Sequence, residues 1–290
     1  MTIALVIKVN DGVVLAADSA TTMGTQGPDG FVNIENIYNN ANKLFNLHKG
    51  LPIGAMTWGL GNIGPASIAT LAKDVRRAFH GDDLARPEWK LDPADYRIEH
   101  VSERVRDLLW GEKYVPIHGP DPAPADQHGR ILGFLTAGYS SDSDEPHVFT
   151  VSLGEKSGEV VTEQLADTTG AMWWGQPEAI ARIAGGLSLD TPQALVNSGV
   201  SPDEAMPLFL ALRDQVARQI VPEAMPIQDA IDLAEFLVYA TIQFVRFCPG
   251  NPTVGGPIEI ATITKHEGFK WVKRKHYFDT RLNPPQEVRK

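Results

Sequence analysis

The chain has 290 residues, 43% of them hydrophobic and 21% charged, which is enough to bury a substantial core. Its formal net charge of -10 argues against nucleic acid as a partner, and a single cysteine excludes an internal disulfide framework. The sequence lacks an apolar run of the roughly 20 residues that span a membrane, so we expect a cytoplasmic protein without a membrane partner.

The first predicted elements form a β-hairpin. The run Ile3–Val9 is apolar and β-branched apart from one lysine, and Val13–Ala17 reads as a second strand. Between them Asn10-Asp11-Gly12 is a strong two-residue turn signal. The two strands therefore pair antiparallel, which returns Asp18 to the start of the first strand.

Thr2 lies at that start, and removal of Met1 would make it the N-terminal residue. A free α-amine has an unperturbed pKa of about 7.7–8.0 and can accept the proton of its own residue's hydroxyl. Thr2 is therefore the leading candidate nucleophile. Lys43 opens an apolar strand, and a buried lysine needs a charge partner, which Asp18 could supply. A purely structural Lys43–Asp18 ion pair is the alternative interpretation.

The region Thr21–Asn42, with Gly27-Pro28-Asp29-Gly30, is expected to be an irregular excursion, and Val115–Arg130 a loop. The other predicted strands are Lys43–Leu47, Ile53–Thr57, Ile131–Ala137, His147–Ser152, Ile258–Ile263 and Phe269–Val272. The predicted helices are Ile63–Phe79 behind an Asn62 N-cap, Arg97–Leu109, Gln176–Gly185, Pro202–Ile220 and Ile227–Val245.

This order of elements predicts an α+β protein in which two antiparallel sheets lie between helical layers, a four-layer αββα sandwich. One domain over residues 1–290 is expected. The apolar stripe of the helix Ile227–Val245 could pack in the core or between subunits.

The basic stretch Lys270–Lys275 is compatible with an edge strand carrying solvated lysines, a simpler explanation than a nucleic-acid site. Asp142, Asp144 and Glu145 read as a solvated turn. The histidines show no metal-ligand spacing, so we expect neither metal nor cofactor. Trp173-Trp174 is expected in the core, or at a subunit interface.

The sequence resembles the proteasome β-subunits, which are N-terminal-nucleophile hydrolases. The likeness rests on Asp11–Asp18, Lys43-Leu44-Phe45, Gly54–Gly59 and Gly138-Tyr139. The second half, with Trp174-Gly175-Gln176-Pro177 and Thr253–Pro257, is more similar to the bacterial ancestral-β-subunit branch. Residues 187–220 match neither closely and are expected to form a helical insert.

The resemblance implies that Thr2 is the nucleophile, Lys43 the lysine beside it and Asp18 the carboxylate that orients the lysine. It also implies an oxyanion hole, a set of donors for a developing negative charge. The backbone N–H groups expected to form it are those of Thr57, Trp58 and Gly59. Ser19 and Asn251 are candidate supporting residues.

Three positions depart from the family pattern. Asn251 and Val254 stand where an aspartate and a serine are common, and Ala20 where many β-subunits have arginine. Some relatives bind a monovalent cation at the position of Cys248–Asn251, although a helix-ending turn is the simpler interpretation here.

The function implied is that of a threonine protease, a peptidase or amidase hydrolase that cleaves peptide or related amide bonds as a homo-oligomer, either a ring or an open assembly. One alternative is an amidase for a small substrate, which the departures at Asn251 and Val254 favour. The other is a non-catalytic scaffold that retains Met1. The sequence identifies neither the natural substrate nor an unfoldase partner.

Overall fold

The computed structural model describes residues 2–26, 32–124, 130–155 and 160–275. Its strands in the first half are β1 (Ile3–Val9), β2 (Gly12–Ala17), β3 (Thr21–Gln26), β4 (Val32–Tyr38), β5 (Leu44–Asn46), β6 (Ile53–Gly59), β7 (Asn62–Ile63) and β8 (Ala66–Ser67). The later strands are β9 (Leu132–Tyr139), β10 (Pro146–Leu153), β11 (Thr162–Gln164), β12 (Gly170–Gly175), β13 (Glu259–Thr264) and β14 (Gly268–Lys273).

The helices form two groups along the chain, one between β8 and β9 and the other between β12 and β13. They are α1 (Ile68–His80), α2 (Ile98–Arg106), α3 (Val115–His118), α4 (Glu178–Gly185), α5 (Thr191–Asn197), α6 (Pro202–Val216) and α7 (Ile227–Phe247). None of these helices is long and apolar enough to cross a membrane. The chain is thus α+β, as expected from the order of its elements.

Two five-stranded antiparallel sheets organise the described residues. The first sheet has the order β12-β1-β2-β13-β14, and the second has the order β11-β10-β9-β6-β5. In the first, Val9 pairs with Gly12 across the predicted turn, so the Asn10-Asp11 loop sets the register of the hairpin. This register places Ala4 opposite Ala17, which brings Asp18 back to the start of β1.

Buried apolar residues form three clusters. One joins the second sheet to α1 and α2, and another joins the first sheet to α7. The third contains residues from both sheets, including Ala4 and Leu15 from the first and Met56 and Leu135 from the second. Strands β1 and β2 are buried throughout because both of their faces contact apolar side chains.

This packing shows where the apolar stripe of α7 lies. Its residues Ile231, Ala234 and Val238 lie in the cluster against β1 and β2, so the stripe faces the core of the chain itself. Trp173 and Trp174 likewise pack against the clusters on the two faces of β12.

Several elements differ from the sequence prediction. Helix α1 begins at Ile68, because the hydroxyl of Ser67 rather than the side chain of Asn62 accepts the first-turn N–H, that of Thr70. After α2 the chain continues as a π-helical segment, Asp107–Tyr114, and then as α3. The first residues of the expected loop Val115–Arg130 are therefore helical.

The prediction did not include strands β3, β4, β7, β8, β11 and β12, whereas α5 lies within the expected helical insert 187–220. Strands β3 and β4 form a separate two-stranded hairpin within the expected irregular excursion. Its Gly27–Gly30 stretch lies outside the described residues. Strand β12 has a larger consequence, since it pairs with the whole of β1 beside Thr2.

Candidate active site

Thr2 is held at the start of β1 by the chain that leaves β12. Its carbonyl oxygen accepts a hydrogen bond from the N–H of Gln176 at 2.8 Å. Gly175, at φ 98°, lies against the same carbonyl, and a Cβ there would overlap the oxygen. Glycine is therefore required at this position, since any side chain would displace Thr2. Thr2 itself is only 6% exposed.

Asp18 follows β2 and is completely buried. Its Oδ1 accepts the backbone N–H of Ile3 at 3.0 Å and the ammonium group of Lys43 at 2.5 Å. The Lys43 nitrogen therefore lies within two hydrogen-bond lengths of the residue that follows Thr2. Sequence reasoning predicted that Asp18 pairs with Lys43, and the structure joins the two through the same oxygen that binds Ile3, the residue after Thr2.

The other carboxylate oxygen of Asp18 is also occupied. Oδ2 accepts the N–H groups of Ala20 and Gly255, each at 3.0 Å. The two glycines Gly255 and Gly256 thus bring a distant segment of the chain to the carboxylate. With four donors around it, the carboxylate has a fixed orientation toward Lys43.

Lys43 lies immediately before β5 and is buried. Burial lowers its pKa below the ordinary value of 10.5, while the charge and hydrogen bond of Asp18 act in the opposite direction. A lysine in this position places a positive charge beside the start of β1. A positive neighbour favours the neutral form of a nearby amine, the form that can accept a proton.

The three expected oxyanion donors have different environments. The N–H of Thr57 donates to the carbonyl of Lys43 at 2.9 Å, and its hydroxyl donates to the carbonyl of Gly133 at 3.0 Å. Thr57 is therefore not a free donor in this conformation. It instead fixes the backbone of Lys43 against β6.

Trp58 and Gly59 follow on alternate edges of β6. Leu60 donates its N–H to Ile131 at the β9 edge, and successive N–H groups of a strand alternate in direction. The N–H of Trp58 therefore faces β9, and that of Gly59 faces the edge that holds Lys43. Of the three residues, Gly59 is the one placed to donate outside the ladder with β9.

Trp58 has a different role in the site. Its indole stacks on that of Trp174 with a centroid distance of 4.3 Å, and Trp174 pairs with Ala4 of β1. Gly133 makes room for the stack, because a Cβ there would overlap the Trp58 ring. The stack joins the two sheets two residues from Thr2.

Ser19 and Asn251 differ in their relation to the site. Ser19 is buried, and its N–H and hydroxyl donate to the carbonyls of Gly255 and Pro257 at 2.9 and 2.7 Å. Asn251 is exposed, and its carbonyl accepts the N–H of Thr253. In the part of the chain that the structure describes, no hydrogen bond to Asp18 or Lys43 comes from Asn251.

A second buried ion pair lies behind the first, and sequence analysis did not predict it. Lys275 donates to Glu259 at 2.8 Å, and their side chains are 7% and 3% exposed. Strand β14 is an edge strand as expected, but the expectation of a solvated lysine is wrong for Lys275. Glu259 was the available signal, because a carboxylate at the start of an apolar strand needs a partner.

The segment Cys248–Asn251, where a cation was one interpretation, begins at the end of α7. Cys248 is exposed at the end of α7, where its N–H donates to the carbonyl of Phe244, as in an ordinary helix end. Among the described residues there is no group of three or more acidic, histidine or cysteine side chains that could hold a metal ion.

No model of a protein family matches the sequence, and no curated protein is significantly similar to it. The chemistry must therefore be inferred from the site. It combines a threonine at the start of a strand, a buried lysine, a carboxylate that binds the lysine and the N–H of the residue after the threonine, and a backbone donor at Gly59. Such a set can deprotonate a hydroxyl and stabilise a developing oxyanion.

Proposed function

We propose that the protein is an N-terminal threonine hydrolase of the proteasome type, which cleaves peptide or related amide bonds after loss of Met1. The observation that carries this proposal is the shared oxygen of Asp18, which binds both Lys43 and the backbone beside Thr2. Buried ion pairs contribute little to stability compared with apolar residues, so their presence beside a candidate nucleophile favours a chemical role.

In the proposed reaction the free α-amine of Thr2 accepts the hydroxyl proton, and Oγ bonds to the carbonyl carbon of the amide. The negative charge that develops on the carbonyl oxygen is stabilised by the N–H of Gly59. The C–N bond then breaks, and the α-ammonium returns the proton to the leaving amine. Water finally attacks the ester and regenerates the threonine hydroxyl.

Lys43 and Asp18 prepare this reaction without entering the covalent steps. The positive charge of Lys43 favours the neutral α-amine and hence its action as a base near neutral pH. Asp18 keeps Lys43 in place and fixes Ile3, which sets the direction of the Thr2 side chain.

The proposal includes the four-layer αββα arrangement of N-terminal-nucleophile hydrolases. Its support is the three apolar clusters, of which two join a sheet to helices and one joins the two sheets. It also includes assembly into a homo-oligomer, for which the resemblance to proteasome β-subunits is the reason.

A direct test is the hydrolysis of a panel of peptides with fluorogenic leaving groups by the purified protein after Met1 removal. We expect activity in the wild type, its retention in part by Thr2→Ser, and its loss in Thr2→Ala. Equal activity in the wild type and Thr2→Ala would contradict the proposal.

An amidase for a small substrate is the second candidate function. Asn251 favours it, because it stands where the family commonly has an aspartate, yet it is exposed and makes no hydrogen bond to Asp18 or Lys43 among the described residues. A matched panel of short acyl amides distinguishes the two candidates. Cleavage of acyl amides but not of peptides would identify the amidase.

A further inference from the structure

We infer that Lys275 is a positioning residue, whose ammonium group fixes three strand ends around Asp18 and Lys43 and so maintains the geometry of the catalytic pair. The inference rests on the proposed function. It assigns a role in the site to a residue that follows the last strand of the fold.

Lys275 uses all three of its donors. Its Nζ lies 2.7 Å from the hydroxyl oxygen of Ser19, 2.6 Å from the carbonyl oxygen of Ala41 and 2.8 Å from a carboxylate oxygen of Glu259. An ammonium group has three donors and no acceptor, so its hydrogen-bonding capacity is filled. Such complete satisfaction inside the protein specifies one position for each partner.

Each of the three partners of Lys275 lies close to Asp18 or Lys43, either along the chain or across the sheet. Ser19 directly follows Asp18, and Ala41 lies two residues before Lys43. Glu259 begins β13 and pairs with Ala17, the last residue of β2. One ammonium group therefore joins the end of β2, the approach to β5 and the start of β13.

Backbone bonds complete the connection between these segments. Ala41 donates its N–H to the carbonyl of Ser19 at 2.9 Å, and Ser19 donates its own to the carbonyl of Gly255 at 2.9 Å. Gly255 in turn donates to Asp18 at 3.0 Å. A displacement of Ser19 would thus reach Oδ2 of Asp18 through Gly255 and Ala20. It would reach Oδ1 through Ala41, which lies two residues before Lys43.

The charges of Lys275 and Glu259 also affect the pKa of Lys43 in the Asp18–Lys43 pair. The positive charge of Lys275 lowers the pKa of Lys43, and the negative charge of Glu259 raises it, while burial of Lys43 is the largest influence. Beyond Glu259, a cavity of about 90 Å³ has Lys73, Arg76 and Arg274 in its lining. Loss of Lys275 alone would leave the buried Glu259 carboxylate without its hydrogen-bonded cation, facing only the cations that line this cavity.

The experiment measures the rate at which a β-lactone acylates Thr2, as a function of pH, in Lys275→Met. We expect the maximal rate to fall about 10- to 100-fold, because small displacements of positioned groups cost this much. The midpoint of the pH profile should move upward, since the unpaired Glu259 carboxylate favours protonated amines nearby. Lys275→Arg, which keeps the charge and the donors, should recover part of the rate.

The double variant Lys275→Met with Glu259→Gln separates positioning from stability. It removes both buried charges, so its melting temperature should return toward that of the wild type. The acylation rate should nevertheless stay low. A folded double variant that reacts at the wild-type rate would overturn the inference.

Lys273→Met is the matched control. Lys273 ends β14, two residues before Lys275, and also forms an ion pair, with Glu235, but this pair is exposed to solvent. The acylation rate and the pH profile of Lys273→Met should equal those of the wild type. Failure of the wild type itself to be acylated would contradict the proposed function, whereas failure of Lys275→Met to differ from it would contradict only the role of Lys275.

Discussion

Among the single residues at the site, Asp18 has its position fixed by the largest number of contacts described above. Its carboxylate accepts hydrogen bonds from Ile3, Ala20, Gly255 and Lys43. These donors come from the first strand, the residues after the second, the chain after α7 and the approach to β5. The carboxylate therefore depends on the complete fold for its position.

Substitution of Lys43 by methionine tests the contribution of the Lys43–Asp18 ion pair. Removing one partner of a buried ion pair typically costs about 3–5 kcal/mol of unfolding free energy. Three N–H groups still donate to Asp18 in this variant, so we expect a loss of unfolding free energy near the lower end of this range. Urea unfolding measures this loss. Acylation of Thr2 should fall at least about 100-fold, because a nucleophile loses most of its reactivity with its activating groups.

Lys265→Met provides the comparison for this variant. Lys265 pairs with Asp144 on the surface, where ion pairs contribute about 0–1 kcal/mol. Its unfolding free energy and acylation rate should stay close to the wild type. Wild-type acylation in folded Lys43→Met would show that the lysine has no chemical role.

At the scale of elements, the contact between β12 and the start of β1 determines where Thr2 lies. Gly175→Ala should lower the unfolding free energy by more than about 1 kcal/mol, since alanine is strained at this φ and its Cβ overlaps the Thr2 carbonyl. Acylation of Thr2 should slow in parallel. Both quantities can be measured on the same preparation.

Gly111→Ala serves as the opposite case. Gly111 lies in the helical segment Asp107–Tyr114, and a Cβ there would meet nothing within 4 Å. Alanine is favoured over glycine in a helix by about 0.8–1.0 kcal/mol, so this variant should be slightly more stable. A Gly175→Ala protein that behaves like Gly111→Ala would refute the proposed contact.

A pH-sensitive histidine pair lies between the β5–β6 connection, which contains His48, and the end of α1 at His80. The rings of His48 and His80 stack at 4.0 Å, and each accepts a backbone N–H, from Gly50 and Lys49. Burial, and then the charge of His80, lower the pKa of His48 to about 4. Burial is also the main cause of the lowered pKa of His80.

Because the unfolded chain binds these protons near pH 6.5 and the folded chain only at lower pH, stability should be complete above about pH 6.5 and decline toward pH 4. His48→Asn keeps an acceptor for Gly50 but cannot be protonated. Urea unfolding at pH 7 and 4.5 should show a smaller loss in this variant. Equal losses in both proteins would contradict the assignment.

The local elements of the site could be predicted, and its distant contacts could not. The Asn10-Asp11-Gly12 turn carries enough information to align β1 with β2, and the apolar period of α7 identifies its buried face. Strand β12 has a weak local pattern, Gly-Ala-Met-Trp-Trp-Gly, and becomes a strand by pairing with β1. Lys275 escaped prediction because two of its partners, Ser19 and Ala41, are 256 and 234 residues away in the sequence.

At the scale of the whole molecule, the main prediction concerns assembly. Phe236 and Tyr239 lie on one face of α7 and are 51% and 54% exposed, opposite the stripe that is buried in the core. We expect this face to contact a second copy of the chain, since large apolar side chains of this kind are common at interfaces. Native mass spectrometry should give a multiple of 31.7 kDa.

Replacement of Phe236 and Tyr239 by glutamate should shift the protein toward smaller species without a large change in melting temperature. Leu84→Glu changes an exposed apolar residue elsewhere and should leave the assembly intact. A monomeric wild type, or a double variant with unchanged mass, would argue against this interface.

The proposed function requires Thr2 to be a free, reactive N-terminal nucleophile. Its most direct test is the intact mass of the protein purified from its native cells, before and after treatment with a β-lactone or epoxyketone. We predict a mass that lacks Met1, followed by a single adduct that is absent in Thr2→Ala. Retention of Met1, or an adduct that persists in Thr2→Ala, would contradict the account.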